Sequence, residues 1–187
     1  MSVRIGDELS FEDVSAVALE AASVDIAPGV AERMAASRRI VEEAVAEGRT
    51  VYGITTGIGQ LANVRISPAN AERVQRDIVR SHAVAVGPAL SPAVVRAMLL
   101  LRARTFAFGI SGVRFELVER LTQMLNAGLH PIVPAQGSLG ASGDLALLSA
   151  WMADSQFSAG VAGGLAAVVA MGVMPWLAAR YPRLSNR

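Results

Sequence analysis

Helix-start signals followed by apolar residues at helical spacing recur along the first 126 residues, and they constrain the fold more than any other feature. A capping box begins at Ser10, and Ser67-Pro68 and Ser91-Pro92 each place proline at the first position of a helix. Further helices are predicted at about 28–46 and 113–126. Because no strand–helix alternation is visible, the pattern predicts a mainly α fold and argues against a doubly wound sheet.

The second of these helices illustrates the periodicity. Its apolar face is predicted to contain five side chains at helical spacing, namely Val30, Met34, Ile40, Val41 and Val45. Gly48 gives the stop signal. These side chains are expected to share one face of the helix.

Two segments interrupt the helical pattern. Glycines and β-branched residues make residues 50–59 a short strand or an ordered loop. Residues 130–134 are expected to be extended, because residues that precede proline avoid the α region. The extended segment leads into a second glycine-bearing loop, after which a helix is predicted to restart near Asp144.

Composition excludes several classes of site. The 187 residues suffice for one domain with a core, or for a piece of a larger protein. The net charge of +1, from 17 basic and 16 acidic residues, gives no support for a nucleic-acid partner. The chain has no cysteine and only two histidines, so we expect no disulfide, thiolate or histidine-rich metal site. The first residues do not resemble a secretory signal.

The second loop is the run Gly137-Ser-Leu-Gly-Ala-Ser-Gly-Asp-Leu-Ala146. Its three glycines, spaced by three, allow tight turns and close backbone approach. One interpretation is a cap for the following helix. A phosphate loop is not supported, since neither glycine loop matches G-x-x-x-x-G-K-[ST]. A serine hydrolase built on Ser142, His82 and Asp144 fits poorly, since the local sequence is not G-x-S-x-G.

A third interpretation of this run is chemical. The unhindered amide nitrogen of Gly143 could attack the carbonyl carbon of Ala141, and loss of that oxygen as water would close a five-membered ring. Loss of the Ser142 hydroxyl as a second water would leave an exocyclic double bond. The product would be an electrophile made from the backbone, with no metal and no external cofactor.

The run resembles the prosthetic-group motif of the aromatic amino acid ammonia-lyases and aminomutases, in which Ala-Ser-Gly cyclises to 4-methylideneimidazol-5-one. The resemblance implies the same group at Ala141, Ser142 and Gly143. Residues 51–59 resemble the family's Y-G-[VI]-[NT]-T-G-[FI]-G segment. By that resemblance Tyr52 is the catalytic base and Gly59 contributes to substrate binding. Without the glycine run, Tyr52 would be interpreted as a packing tyrosine, and a phenol needs a perturbing environment to act as a base at neutral pH.

A third segment, Val79 to Pro88, resembles the family's R-S-H-[AS]-x-G-x-G-P motif, with Ala85 in place of its first glycine. By resemblance His82 lies in the substrate pocket and helps to select the side chain. Taken alone, His82 could equally be a surface histidine or a buried one bonded to a carbonyl. His130, directly before Pro131, is interpreted as structural.

The resemblance extends from about residue 3 to residue 149. It implies a mainly α domain of the fumarase/aspartase-like superfamily over residues 1–152, a homotetramer and a cytoplasmic location. The implied reaction is loss of ammonia from an L-aromatic amino acid to give the trans-α,β-unsaturated acid. His82 favours histidine as substrate; the alternatives are a tyrosine or phenylalanine lyase and a 2,3-aminomutase.

The chain departs from the family pattern after Ala146, where Leu147-Leu-Ser-Ala150 replaces the usual Pro-Leu-[AS]-His. Residues 153–187 are predicted to be a divergent apolar tail, with no charged residue from 155 to 179. Its length would span a membrane, but its glycines weaken a helix, and a span is not expected. The other interpretations are a buried helix and a truncated or out-of-frame sequence. The chain alone is therefore expected to be incomplete and inactive, or a helical association module without catalysis.

Overall fold

The computed structural model describes residues 2–57, 62–67, 70, 73–74, 77 and 80–137. The strands are β1 (Ser2–Ile5), β2 (Ser23–Ile26), β3 (Val86–Ala89) and β4 (Pro134–Gln136), and the helices whose full extent is described are α1 (Phe11–Leu19), α2 (Val30–Ala46), α3 (Pro92–Ala107) and α4 (Phe115–Asn126). Helices carry most of the regular structure of the described residues, so the prediction of a mainly α fold is confirmed. The predicted tail at 153–187 lies outside the described residues.

The helix starts predicted at Ser10 and Ser91 are confirmed in atomic detail. At the start of α1 the amide of Asp13 donates to Ser10 Oγ at 3.1 Å, and the amide of Ser10 donates back to the Asp13 carboxylate at 3.0 Å. At the start of α3 the amide of Val94 donates to Ser91 Oγ at 3.4 Å. The backbone is also helical at the described positions from Asn70 to residue 82.

The strands correct one prediction made from the sequence. β1 and β2 pair in parallel, with Val3 opposite Val24 and Ile5 opposite Ile26, and α1 connects them. Residues 2–26 therefore form a small β–α–β unit, and the prediction that strands and helices do not alternate is wrong for this segment. Strands of four residues show only two periods of alternation, which is too short a pattern to recognise.

The core lies between β1–β2 and helices α1, α3 and α4. Helix α3 packs against both α1 and α4, while β2 contacts α4. The largest side chains that are almost fully buried are contributed by several elements, among them Ile5, Val17, Met34, Leu99, Leu100, Phe106, Leu121 and Leu125. Burial of such side chains contributes about 1.5–3 kcal/mol each relative to leaving them in water.

A buried arginine links three helices. Arg96 of α3 is only 6% exposed. Its Nε donates to the carbonyl of Val17 at 2.9 Å, and its Nη1 donates to the carbonyl of Leu125 at 3.0 Å. Both carbonyls lie in the last turn of a helix, where intrahelical partners are missing and a positive charge is favourable. Arg96 therefore joins the carboxyl ends of α1 and α4 through α3.

Candidate active site

Tyr52 lies in a tight turn that follows α2. The carbonyl of Val51 accepts hydrogen bonds from the amides of Ile54 at 3.1 Å and Thr55 at 3.0 Å. Gly53, directly after the tyrosine, has a φ of +71°, a conformation that disfavours a side chain. Tyr52 is 42% exposed, so the turn holds it partly open to solvent. A short strand or an ordered loop was predicted for residues 50–59, and the described residues 50–57 form an ordered loop.

Two threonine hydroxyls hold the turn on either side of Tyr52. The amide of Val51 donates to Thr55 Oγ1 at 2.8 Å, and the amide of Gly53 donates to Thr56 Oγ1 at 3.2 Å. The Thr55 hydroxyl donates in turn to the carbonyl of Arg49, and the Thr56 hydroxyl donates to the carbonyl of Gly57 at 3.0 Å. Each hydroxyl therefore acts as both acceptor and donor within the turn.

The turn is also attached to residues 64–66. The amide of Gly57 donates to the carbonyl of Val64 at 3.0 Å, and the amide of Ile66 donates to the carbonyl of Thr55 at 2.9 Å. The Arg65 guanidinium donates to the carbonyl of Gly48, just past the end of α2. These bonds connect both ends of the turn to neighbouring backbone.

His82 ends the helical segment at residues 80–82 and is half-buried. Its Nδ1 lies 3.0 Å from Ser81 Oγ, a contact in which either atom can donate, depending on the histidine tautomer. The other histidine, His130, is exposed and has Nδ1 3.1 Å from the carbonyl of Gly128. A carbonyl only accepts, so this contact is a hydrogen bond in the tautomer that carries the proton on His130 Nδ1.

Strand pairing brings the His82 segment to the beginning of the glycine run. β3 starts four residues after His82, and its first residue, Val86, is the antiparallel partner of Gln136. Gln136 directly precedes Gly137, the first glycine of the run. The amide of Leu90 donates to the carbonyl of Val133 at 2.8 Å and extends the pairing. Segments that are about 50 residues apart in the sequence are thus neighbours here.

Gly87 makes room for this pairing. Its φ is +90°, and a Cβ placed on it would lie 3.2 Å from Cδ and 3.3 Å from Cγ of Gln136. Both the backbone conformation and the crowding therefore favour glycine at this position. The side chain of Gln136 consequently lies over the backbone of β3, next to the start of the glycine run.

The remaining predicted site residues, Gly59, Ala141, Ser142 and Gly143, lie outside the described residues. Within the described ranges, no group of three or more His, Cys, Asp or Glu side chains could hold a metal ion. The described ranges also contain no helix that is long and apolar enough to cross a membrane.

Comparison with known proteins identifies the family. Residues 9–154 match the family model for aromatic amino acid lyases. The chain belongs to this family. It is 51% identical over 148 residues to a histidine ammonia-lyase of Symbiobacterium thermophilum, an alignment that covers 79% of this chain and 29% of that relative. The chain thus spans less than a third of the length of that lyase.

Solved structures of lyases and aminomutases share the fold. The ergothionase of Treponema denticola, described as an ergothioneine-degrading enzyme, matches with a TM-score of 0.76 and 33% identity over 80% of this chain and 30% of its own. The tyrosine aminomutase of Streptomyces globisporus matches with a TM-score of 0.73 and 36% identity over 80% of this chain and 28% of its own. The described domain therefore has the mainly α, fumarase-like fold of the family.

Tyr52 and His82 were singled out from the sequence, but the residues that hold their segments were not. Thr55, Thr56 and Gln136 were not identified as parts of the site. One signal was present for the threonines, because short hydroxyl side chains beside glycines commonly bond to nearby backbone. For Gln136 the sequence carried no signal, since its position depends on pairing with a distant strand.

Proposed function

We propose that this chain carries the base-bearing turn and the prosthetic-group loop of an ammonia-lyase that acts on L-histidine. The observation that carries the proposal is the β3–β4 pairing, which brings the His82 segment to the start of the glycine run. The 51% identity to a histidine ammonia-lyase supports L-histidine as the substrate. The products would be ammonia and the trans-α,β-unsaturated acid.

In the proposed mechanism, Tyr52 accepts the proton that the substrate loses. Its oxygen accepts a proton from the substrate β-carbon, the electrons of that C–H bond form the new double bond, and the C–N bond breaks as nitrogen leaves. The partial exposure of Tyr52 is compatible with contact to a small molecule. A general base of this kind must lie within hydrogen-bond reach of the proton that it removes.

The electrophile would come from the chain itself. Ala141, Ser142 and Gly143 supply the atoms of 4-methylideneimidazol-5-one, which, once formed, makes the amino group of the substrate a better leaving group. Formation releases two waters, one from the Ala141 carbonyl and one from the Ser142 hydroxyl. No external cofactor is part of the proposal.

His82 and Gly59 are proposed to bind the substrate. An imidazole can donate or accept a hydrogen bond, so His82 suits an imidazole or phenol side chain better than a phenyl group. Gly59 would leave space for the substrate, because it has no Cβ. The proposal also includes a homotetramer, a cytoplasmic location and a domain boundary at residue 152; the likeness to the family supports the first two.

The second candidate is an aminomutase acting on tyrosine. The structural likeness to the tyrosine aminomutase favours it, since that protein matches this chain at 36% identity. The products distinguish the two reactions. A lyase releases ammonia, whereas an aminomutase returns the amino group to the β-carbon and keeps it in the product.

Intact mass of the purified chain is the decisive experiment. A cyclised loop makes the chain lighter than the encoded sequence by two water molecules, and a Ser142→Ala variant should show no such loss. Ammonia release from L-histidine, compared with L-tyrosine, then assigns the substrate. An unmodified mass would contradict catalytic competence and favour the association module without catalysis.

A further inference from the structure

We propose that Thr55 and Thr56 are positioning residues for Tyr52, acting through their hydroxyl groups. The inference rests on the proposed role of Tyr52 as the base. It assigns a function to two side chains that would otherwise be interpreted as loop packing. Neither threonine is proposed to touch the substrate.

The first argument is the placement of the two hydrogen bonds. Thr56 Oγ1 accepts from the amide of Gly53, which belongs to the peptide unit directly after Tyr52. The peptide unit directly before Tyr52 contains the carbonyl of Val51, which accepts from the amide of Thr55 at 3.0 Å and lies 3.4 Å from the Thr55 hydroxyl. The same hydroxyl accepts from the amide of Val51, one peptide unit earlier. Since the direction of the Cα–Cβ bond of Tyr52 depends on the two flanking peptide units, these bonds restrict where the phenol can point.

The second argument is burial. Thr56 is 1% exposed and Thr55 is 9% exposed, whereas the tyrosine between their partners is 42% exposed. At such buried positions water is poorly placed to replace a lost hydroxyl, so its removal leaves an amide donor without a partner. The turn thus presents its tyrosine outward while its hydrogen bonds stay protected from solvent.

The third argument is the connection to the helical frame. The Thr55 hydroxyl donates to the carbonyl of Arg49, whose own amide donates to the carbonyl of Ala44 at 2.9 Å. Ala44 is buried near the carboxyl end of α2. A continuous series of hydrogen bonds therefore leads from the buried end of α2 to the residue beside Tyr52.

Two substitutions of Thr56 distinguish the effect of its hydroxyl from the effect of its methyl group. Thr56→Ser keeps the hydroxyl and loses the methyl, while Thr56→Val keeps the shape and loses the hydroxyl. A chain with Tyr181→Phe, labelled with fluorotyrosine, reports on Tyr52 alone, because the sequence has only two tyrosines. The ¹⁹F resonance should stay in place in Thr56→Ser and should move or broaden in Thr56→Val.

Thr122→Val is the matched control. It removes a hydroxyl of the same size from a buried threonine of α4, where the group donates to the carbonyl of Val118 at 2.8 Å. The Tyr52 resonance should not respond to this change. The Thr55→Ser and Thr55→Val pair repeats the comparison on the other side of Tyr52, should Thr56→Val fail to fold.

The turnover measurement gives a second readout. Displacement of a catalytic group by about 1 Å can cost about 100-fold in rate, so Thr56→Val should lower kcat by about that factor with little change in KM. A resonance that moves equally in the Ser and Val variants, or that moves only in the Ser variant, would overturn the positioning role. The resonance needs no turnover, so a chain without lyase activity contradicts only the proposed function, and the positioning role is still decided.

Discussion

The side chain of Asn126, at the end of α4, forms a reciprocal pair of hydrogen bonds with the backbone of Val24. Asn126 Nδ2 donates to the carbonyl of Val24 at 2.8 Å, and the amide of Val24 donates to Asn126 Oδ1 at 2.8 Å. Val24 lies in the middle of β2 and is completely buried. The side-chain amide of Asn126 thus bonds to the backbone of β2 as a neighbouring strand would, and it connects residues that are 102 positions apart.

Replacement of this side chain should destabilise the domain. Asn126→Ala leaves both backbone groups of a buried residue without their partner, so the free energy of unfolding should fall by about 2 kcal/mol. Denaturant unfolding followed by circular dichroism measures this change. Asn70→Ala is the control: Asn70 is exposed and its side-chain amide donates to the exposed Ser67 hydroxyl, so its loss should cost about 0.5 kcal/mol or less. Equal effects of the two variants would contradict the importance of the pair.

Arg96→Met should also be destabilising. The substitution keeps much of the apolar stem but removes the donor to the carbonyl of Val17 and leaves that of Leu125 with the amide of Gly128 at 3.2 Å, which should cost about 2 kcal/mol. Thermal and denaturant unfolding give the value. Arg120→Met, an exposed arginine of α4 bonded to Gln123, should change stability by about 0.5 kcal/mol or less. A stable Arg96→Met variant would show that apolar packing alone joins the three helices.

The Gly87–Gln136 contact predicts a non-additive effect. Gly128→Ala should cost about 1 kcal/mol, from its positive φ alone, since nothing lies within 4 Å of the position that a Cβ would take there. Gly87 has a φ of +90°, so Gly87→Ala has at least this conformational cost and also crowds Gln136, and it should lose about 2 kcal/mol. When Gln136→Ala is also present, the further loss of stability caused by Gly87→Ala should fall towards the loss seen in Gly128→Ala. A double-mutant cycle measures this difference. Strict additivity would mean that the two side chains do not compete for space.

His82→Leu should change substrate preference. If the imidazole bonds to the substrate side chain, its loss should lower the ratio of kcat/KM for L-histidine over L-tyrosine by about tenfold. The measurement is ammonia release from each amino acid. His130→Leu is the matched control, because that histidine is exposed and bonded to the carbonyl of Gly128. An unchanged ratio in His82→Leu would remove this residue from the selection of substrate.

Capping residues made the helix starts predictable, because a cap is a local interaction. Which part of an apolar face is packed is not decided locally. Val30 and Met34 of α2 are buried, whereas Ile40 is 61% exposed and Val45 is 46% exposed. Periodicity shows which side chains share a face of the helix. How much of that face is buried depends on where distant elements pack against it.

The same distinction applies to the site. Tyr52 and His82 were recognised because the segments around them resemble family motifs. The pairing of Val86 with Gln136 was not predictable from the sequence. Strands of three or four residues show almost no alternation of apolar and polar residues, and two helices separate these strands along the sequence. Local sequence thus indicated the chemical groups, and tertiary structure determined their neighbours.

The β3–β4 pairing also has a consequence for motion. Val86 and Gln136 are cross-strand partners, so the chain from one to the other forms a closed loop that contains the packed helices α3 and α4. Every residue of β3 and two of the three residues of β4 are exposed, and such regions open locally at low free energy. Amides of this strand pair should therefore exchange with solvent deuterium faster than those of the buried helices α3 and α4. The entrance to the glycine run can, in this sense, open while the loop that it closes stays folded.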